Sequence, residues 1–317
     1  MSRGAVAAPL GRARHVRTAL RALWRFSRPH TVIGTAVSVA GLYLVAVDQL
    51  PGLSFGAGLG DAALVLVAGL AVNVFIVGVN QLEDVEIDRI NKPYLPLAAG
   101  DMTRAQGRAI VAVAGLVPVA LALTQGAFEL AAVLTGLAVG AAYSLPPLRL
   151  KRFPIAASLC ISGVRSVIVN LGVYGHFAAA TGAGALEVPA PIWALTLFVV
   201  PFSFAIAILK DVPDIEGDRR YEVMTFSVRL GARRVMDVGL AALVVAYLGM
   251  AVLGPLTIDG ADPVVLAVGH LAALALLWRW SREADVADTA SFTRFYMRVW
   301  KLFFLEYAIL PLACLAG

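Results

Sequence analysis

Residues 62–88 read Ala-Ala-Leu-Val-Leu-Val-Ala-Gly-Leu-Ala-Val-Asn-Val-Phe-Ile-Val-Gly-Val-Asn-Gln-Leu-Glu-Asp-Val-Glu-Ile-Asp. The stretch 62–82 carries no charge, and a helix needs about 20 mostly apolar residues to cross a bilayer core. Four carboxylates then follow at once, in Glu83, Asp84, Glu86 and Asp88. An uncharged span that ends in a dense acidic cluster sets the terms for the rest of the chain.

The whole chain is built of such spans. It has 317 residues, 60% of them hydrophobic and 15% charged, with a mean hydropathy of +0.81. A soluble domain has roughly 45–50% apolar and about 25% charged residues. The excess comes as nine long runs, roughly 30–47, 62–82, 106–123, 127–144, 154–175, 190–210, 234–254, 263–280 and 300–316. The placement of the 26 Lys and Arg tests this number independently. They lie in the N-terminal tail (Arg3, Arg12, Arg14, Arg17, Arg21, Arg25, Arg28) and around the 2–3 connection (Arg89, Lys92, Arg104, Arg108). They recur at the 4–5 (Arg149, Lys151, Arg152), 6–7 (Lys210, Arg219, Arg220, Arg229, Arg233, Arg234) and 8–9 connections (Arg279, Arg282, Arg294, Arg298, Lys301). The 1–2, 3–4, 5–6 and 7–8 connections carry none, and Arg165 stands alone inside run 5. Merging or splitting one run would scramble this alternation. The positive-inside rule then puts the N-terminus in the cytoplasm and the C-terminus outside.

The expected fold is an all-α integral membrane protein, with nine transmembrane helices bundled around a central cavity. The net charge of +5 is a topology signal, and no aromatic-interleaved basic stretch points to nucleic acid. Residues 1–29 form a basic N-terminal segment, followed by the membrane domain over 30–317. Leu20, Leu23, Trp24 and Phe26 alternate with arginines there, which suits an amphipathic helix on an anionic lipid surface. Cys160 and Cys314 both fall in apolar runs, so neither is expected in a disulfide.

A second acidic segment echoes the first. Run 6 ends in Lys210-Asp211-Val212-Pro213-Asp214-Ile215-Glu216-Gly217-Asp218. Asn80, Asp84 and Asp88 are spaced i, i+4, i+8, which on one helix puts three oxygen-bearing side chains on a shared face. Asp214 and Asp218 repeat the spacing. Asp211 shares their face only if the helix survives Pro213, which more naturally marks a break or a fresh start. Carboxylates this close repel unless a cation intervenes, and hard oxygen donors suit Mg²⁺ completed by substrate phosphates. Asn80, Asp84, Asp88, Asp211, Asp214 and Asp218 are the candidate metal ligands. Lys92, Lys151, Lys210 and Arg28 are placed to neutralise diphosphate oxygens that metal leaves uncovered. Solvated loops in which Asp pairs with Arg are the ordinary alternative for one such cluster. Two clusters of matching spacing, each at the end of a span, argue against it.

These segments resemble the signatures of the UbiA family of membrane prenyltransferases, N-x-x-x-D-x-x-x-D followed by D-x-x-x-D. They stand here as Asn80/Asp84/Asp88 and Asp214/Asp218. Within that family the resemblance is nearest to the homogentisate prenyltransferases, carried by residues 24–31, 80–100, 143–152 and 210–231. Glu83 departs from many relatives and is expected to add a carboxylate beside the metal site; Ser166 stands where Gly is usual. The resemblance implies that Asp84, Asp88, Asp214 and Asp218 are catalytic, holding Mg²⁺ with Asn80 on a prenyl diphosphate. It also implies an allylic cation whose hydrocarbon tail lies in a groove between helices open to lipid, and attack by an electron-rich phenol. If that phenol is homogentisate, its carboxyl group leaves as carbon dioxide, as in tocopherol and prenylquinone synthesis. A multi-pass protein of the bacterial cytoplasmic membrane, working on its cytoplasmic side, is the setting implied.

Arg165 is costly inside a span unless it faces a polar interior or a partner. It is either a cavity-lining residue that binds an acceptor carboxylate or one half of an ion pair, with Glu306 as the available acid. Glu306 itself either lines the active site or pairs structurally. Other acceptors (4-hydroxybenzoate, a naphthoate, a chlorophyllide, a haem) keep the same donor chemistry. A secondary transporter is the rival of a different class, but its polar site would lie near the bilayer midplane, not at the ends of spans.

Overall fold

The computed structural model describes residues 9–182 and 187–317, with side chains from residue 17 onward. Arg3, the side chains of Arg12 and Arg14, and residues 183–186 of the 5–6 connection lie outside the described residues. Nine helices among those described are long and apolar enough to span a bilayer: Pro29–Gln49, Leu59–Glu83, Arg104–Gln125, Ala127–Ser144, Pro154–Ala180, Ala190–Leu209, Ala232–Thr257, Pro263–Arg282 and Thr289–Ala316. Each contains or overlaps one of the nine apolar runs.

Local chemistry explains several of the ends. The Thr103 hydroxyl accepts from Gln106 N–H while the Gln106 side chain accepts from Thr103 N–H, so the third span opens on a reciprocal cap. Asp262 accepts from the N–H groups of Val264 and Val265 at 2.8 and 2.9 Å, and Asp288 from Ala290 at 2.9 Å, at the starts of the eighth and ninth. Pro29, Pro154 and Pro263 each stand at a first helical position, where their missing N–H costs nothing.

The ninth helix begins well before its apolar run. Hydropathy detects the part that lipid must cover, whereas a capped helix continues into the polar layer. Arg294, Arg298 and Lys301, read from sequence as a connection, are therefore helical. This extension brings Thr293, Tyr296 and Met297 to the cavity.

The spans pack as a closed ring of the first, second, fourth, fifth, sixth and ninth. The third lies outside against the second and fourth, and the seventh and eighth lie outside the sixth and ninth. Leu42, Phe202, Tyr247, Phe303 and Trp300 fill the main apolar core on the side of the outer pair. At Gly41 a Cβ would fall 2.6 Å from the Tyr307 carbonyl oxygen, so the first and ninth helices approach as only glycine allows.

The N-terminal helix runs Pro9–Phe26. Leu20, Leu23 and Trp24 are exposed. Phe26 instead turns inward, buried with Ala22, Val85, Leu97 and Met102, and Arg25 pairs with Asp101. These contacts tie the helix to the end of the bundle that holds both acidic segments. Cys160 and Cys314 are free.

Candidate active site

Asp84 is the point where the second span stops and a new helix, Val85–Asn91, begins. The expected continuous helix through Asn80, Asp84 and Asp88 is thus broken at its centre, with Asp84 at φ −105° and ψ 18°. The i→i−4 hydrogen bonds survive the break, from Asp84 N–H to the Asn80 carbonyl at 3.0 Å and from Asp88 N–H to the Asp84 carbonyl at 2.7 Å. The side chains therefore keep a shared face.

The second segment takes the same local form. The sixth span ends at Leu209, and a short helix Ile215–Arg220 starts behind Asp214, which has φ −95° and ψ 0°. The break anticipated at Pro213 is present. The two short helices pack on each other. Asn91 joins them, accepting from Gly217 N–H at 2.9 Å and donating to Asp218 at 3.4 Å.

Eleven of the charged or amide residues singled out from sequence line one cavity of about 800 Å³: Arg28, Asn80, Asp84, Asp88, Lys92, Lys151, Arg165, Lys210, Asp211, Asp214 and Asp218. Glu83 does not; it is exposed on the opposite side of the Asp84 break, so the expected extra carboxylate is absent from the site. Glu306 also lies elsewhere. Its Oε2 is 3.0 Å from His270 Nε2, both side chains fully buried. Pairing of Glu306 with Arg165 is thereby overturned, because the side chains point into different interhelical spaces.

The carboxylates and cations alternate. Lys151 Nζ lies 2.5 Å and Arg149 Nη2 3.4 Å from Asp84, and the Asn80 amide donates to Asp84 at 2.9 Å. Lys92 pairs with Asp214, and Lys210 with Asp211 at 2.6 Å. Asp88 and Asp218 are buried without an ion pair. Burial pushes the Asp88 carboxyl up to about 6, against the pull of nearby Arg28 and Lys92. Burial, with Asp211 and Asp214 close by, pushes Asp218 up to about 7. Burial also lowers Lys151, with Asp84 opposing.

Asn80 and the four motif aspartates are hard oxygen donors at one cavity mouth, and Asp88 and Asp218 form no ion pair among the described residues. That donor set fits Mg²⁺. No three of the described His, Cys, Asp or Glu residues form a closed metal cluster, and Mg²⁺ held largely by phosphate oxygens needs none.

Beyond the charged mouth the cavity is apolar, lined by Val39, Val65, Val72, Ile76, Val139 and Val169 among others. Arg165 lies between the two regions, in a single π-helical turn, Val164–Ile168, that interrupts the fifth span. Such turns are frequent at functional sites. Its guanidinium stacks 4.7 Å from the Trp300 ring and 5.3 Å from Phe303, and its Nε is buried with no partner. Arg149 and Asn91 were not singled out from the sequence. Both lie outside the i, i+4 aspartate spacing: Arg149 stands two residues before Lys151, and Asn91 three residues beyond Asp88.

The bundle and its site define a membrane protein that takes a molecule with an anionic head and a hydrocarbon tail. The chain matches the UbiA prenyltransferase family over residues 32–302 and belongs to that family. It is 46% identical over 300 residues to a homogentisate phytyltransferase of Synechocystis, covering 93% of this chain and 96% of the relative. Homogentisate phytyltransferase 1 of Arabidopsis thaliana is 39% identical over 300 residues, covering 93% of this chain and 76% of the relative. A solved UbiA homologue of Archaeoglobus fulgidus bound to DMAPP and Mg²⁺ superposes with a TM-score of 0.59 at 18% identity, covering 90% of this chain and 99% of that one. That last likeness concerns the fold.

Proposed function

We propose that this protein transfers a prenyl group, phytyl or one similar, from its diphosphate to homogentisate, with loss of the acceptor carboxyl as carbon dioxide, in tocopherol or prenylquinone synthesis. The observation that carries this reading is the cavity itself: two acidic motifs and their cations at the mouth, an apolar channel behind. The near full-length similarity to the Synechocystis homogentisate phytyltransferase supports the choice of acceptor.

Asn80, Asp84, Asp88, Asp214 and Asp218 hold Mg²⁺, with Asp211 beside them. The bound metal neutralises diphosphate oxygens and so makes the diphosphate a better leaving group. Lys92, Lys151 and Lys210, each beside a carboxylate, together with Arg28, which has Nε unpartnered, stabilise the negative charge that grows on the leaving diphosphate. Tyr143, Tyr296 and Trp300 line the cavity where the tail begins, and their π-faces favour the allylic cation. Arg165 has no carboxylate partner within the protein and binds the carboxylate of the acceptor. The acceptor's ring then lies over the donor's first carbon, and the hydrocarbon walls exclude water that would otherwise capture the cation.

The charge alternation supports an acidic mouth on the cytoplasmic side, and the proposed setting is a bacterial cytoplasmic membrane. The test is an assay of membranes carrying the protein, with a panel of prenyl diphosphates and phenolic acids read by mass spectrometry. Decarboxylated, phytylated product from homogentisate in the presence of Mg²⁺ is the expected result. Product from 4-hydroxybenzoate or a naphthoate alone would overturn the acceptor, and turnover unaffected by EDTA would overturn the metal.

A further inference from the structure

One lining residue has no part in that chemistry. Glu129 is buried, with 4% of its surface exposed, and it faces the same cavity at the end farthest from the aspartates. No hydrogen bond or ion pair reaches it among the described residues. Buried polar groups are nearly always partnered, and the lining around this one is apolar: Val65, Ala132, Val133, Val169 and Val173. Its place in the first turn of the fourth span lets the free N–H groups there favour a carboxylate. That accounts for tolerance of the acid at this position, but not for its exposure to the channel.

The channel has a definite depth. From Tyr143 to Glu129 along the fourth span is about 21 Å, and from Asn80 to Val65 along the second about 22 Å, at 1.5 Å per residue. Each isoprene unit adds four chain carbons, about 5 Å when extended with C–C bonds of roughly 1.5 Å. About four units therefore reach from the diphosphate site to Glu129. Around it the fourth and fifth spans close together: beyond it a Cβ at Gly175 would fall 2.8 Å from Phe128, and one turn nearer the aspartates a Cβ at Gly172 would fall 2.7 Å from Ala132.

We propose that Glu129 is the floor of the donor-tail channel and limits the donor to about four isoprene units. The inference rests on the prenyl-transfer reading above and adds to it the residue that sets donor length. A tail of that length ends against the carboxyl. A longer one must cover an unpartnered carboxyl with hydrocarbon, which is strongly unfavourable, and has closed helix packing behind it.

The experiment compares wild type with Glu129→Ala, Glu129→Gln and Glu129→Leu. Two readouts are taken with prenyl diphosphates of 15, 20 and 25 carbons: the kcat/KM of prenyl transfer and the Mg²⁺-dependent rise in Tm, which reports donor binding without an acceptor. Wild type and Glu129→Gln should prefer the 20-carbon donor. Glu129→Ala should raise the 25-to-20-carbon ratio at least tenfold, and Glu129→Leu should shift preference toward 15 carbons. A wild type that uses the 25-carbon donor as well as the 20-carbon one overturns the inference, as does an unchanged ratio in the Ala and Leu variants. Either result leaves prenyl transfer itself standing. A wild type that neither turns over nor is stabilised by any of these donors overturns the prenyl-transfer reading and this inference together.

Discussion

At Asp84 one carboxylate faces an amide, a lysine and an arginine, while Asp218 has only Asn91. The two should nonetheless be equally indispensable, because in the proposed mechanism each would hold one side of a metal–diphosphate complex. Asp84→Ala and Asp218→Ala are expected to lower prenyl transfer by on the order of 100-fold or more, with helix content and Tm retained in detergent. Protons compete at the same groups. With carboxyls at about 6 for Asp88 and about 7 for Asp218, metal must displace protons as pH falls below 7. The Mg²⁺ concentration for half-maximal activity should therefore rise between pH 8 and pH 6, by up to about tenfold per unit for each proton displaced. The linked effect on stability has the opposite sense. A raised folded-state value means that the metal-free protein draws stability from these two groups at low pH and loses it as pH climbs through 6 to 7. A Tm that increases with pH in that window, in EDTA, would contradict this.

Helix breaks, rather than helices, build the site. The second span stops at Asp84 and the sixth at Leu209, and a short helix starts behind Asp84 and behind Asp214, which directs Asp88 and Asp218 across the mouth instead of along the bundle. The two short helices are held together by Asn91 over Gly217, where a Cβ would lie 2.3 Å from the Asn91 amide oxygen. Gly217→Ala is expected to push this contact apart and weaken apparent Mg²⁺ affinity roughly 10–100-fold. Asn91→Ala should act in the same direction, read in both cases from the Mg²⁺ dependence of turnover. The i, i+4 spacing was legible in the sequence because it survives the break. The break at Asp84 was not, since Glu83-Asp84-Val85 contains neither glycine nor proline; packing of the two short helices holds it.

Across the whole molecule, six spans enclose the cavity and three support it from outside. The charge alternation carries a prediction about its orientation. In a chain freed of Cys160 and Cys314, a Gly56→Cys thiol should react with an impermeant maleimide on intact cells. An Arg220→Cys thiol should react only after the membrane is opened, and the reverse pattern would overturn the cytoplasmic placement of the site. The number of spans, their alternation and the diphosphate-binding character of the two motifs follow from the sequence alone, because hydropathy and charge are local properties that add along the chain. The tertiary structure alone decides which six helices surround the cavity, that Arg165 stacks on Trp300 while Glu306 goes to His270, and that Glu129 closes the channel. Each of these depends on side chains far apart in sequence meeting across a gap, and helix packing sets the width and depth of that gap.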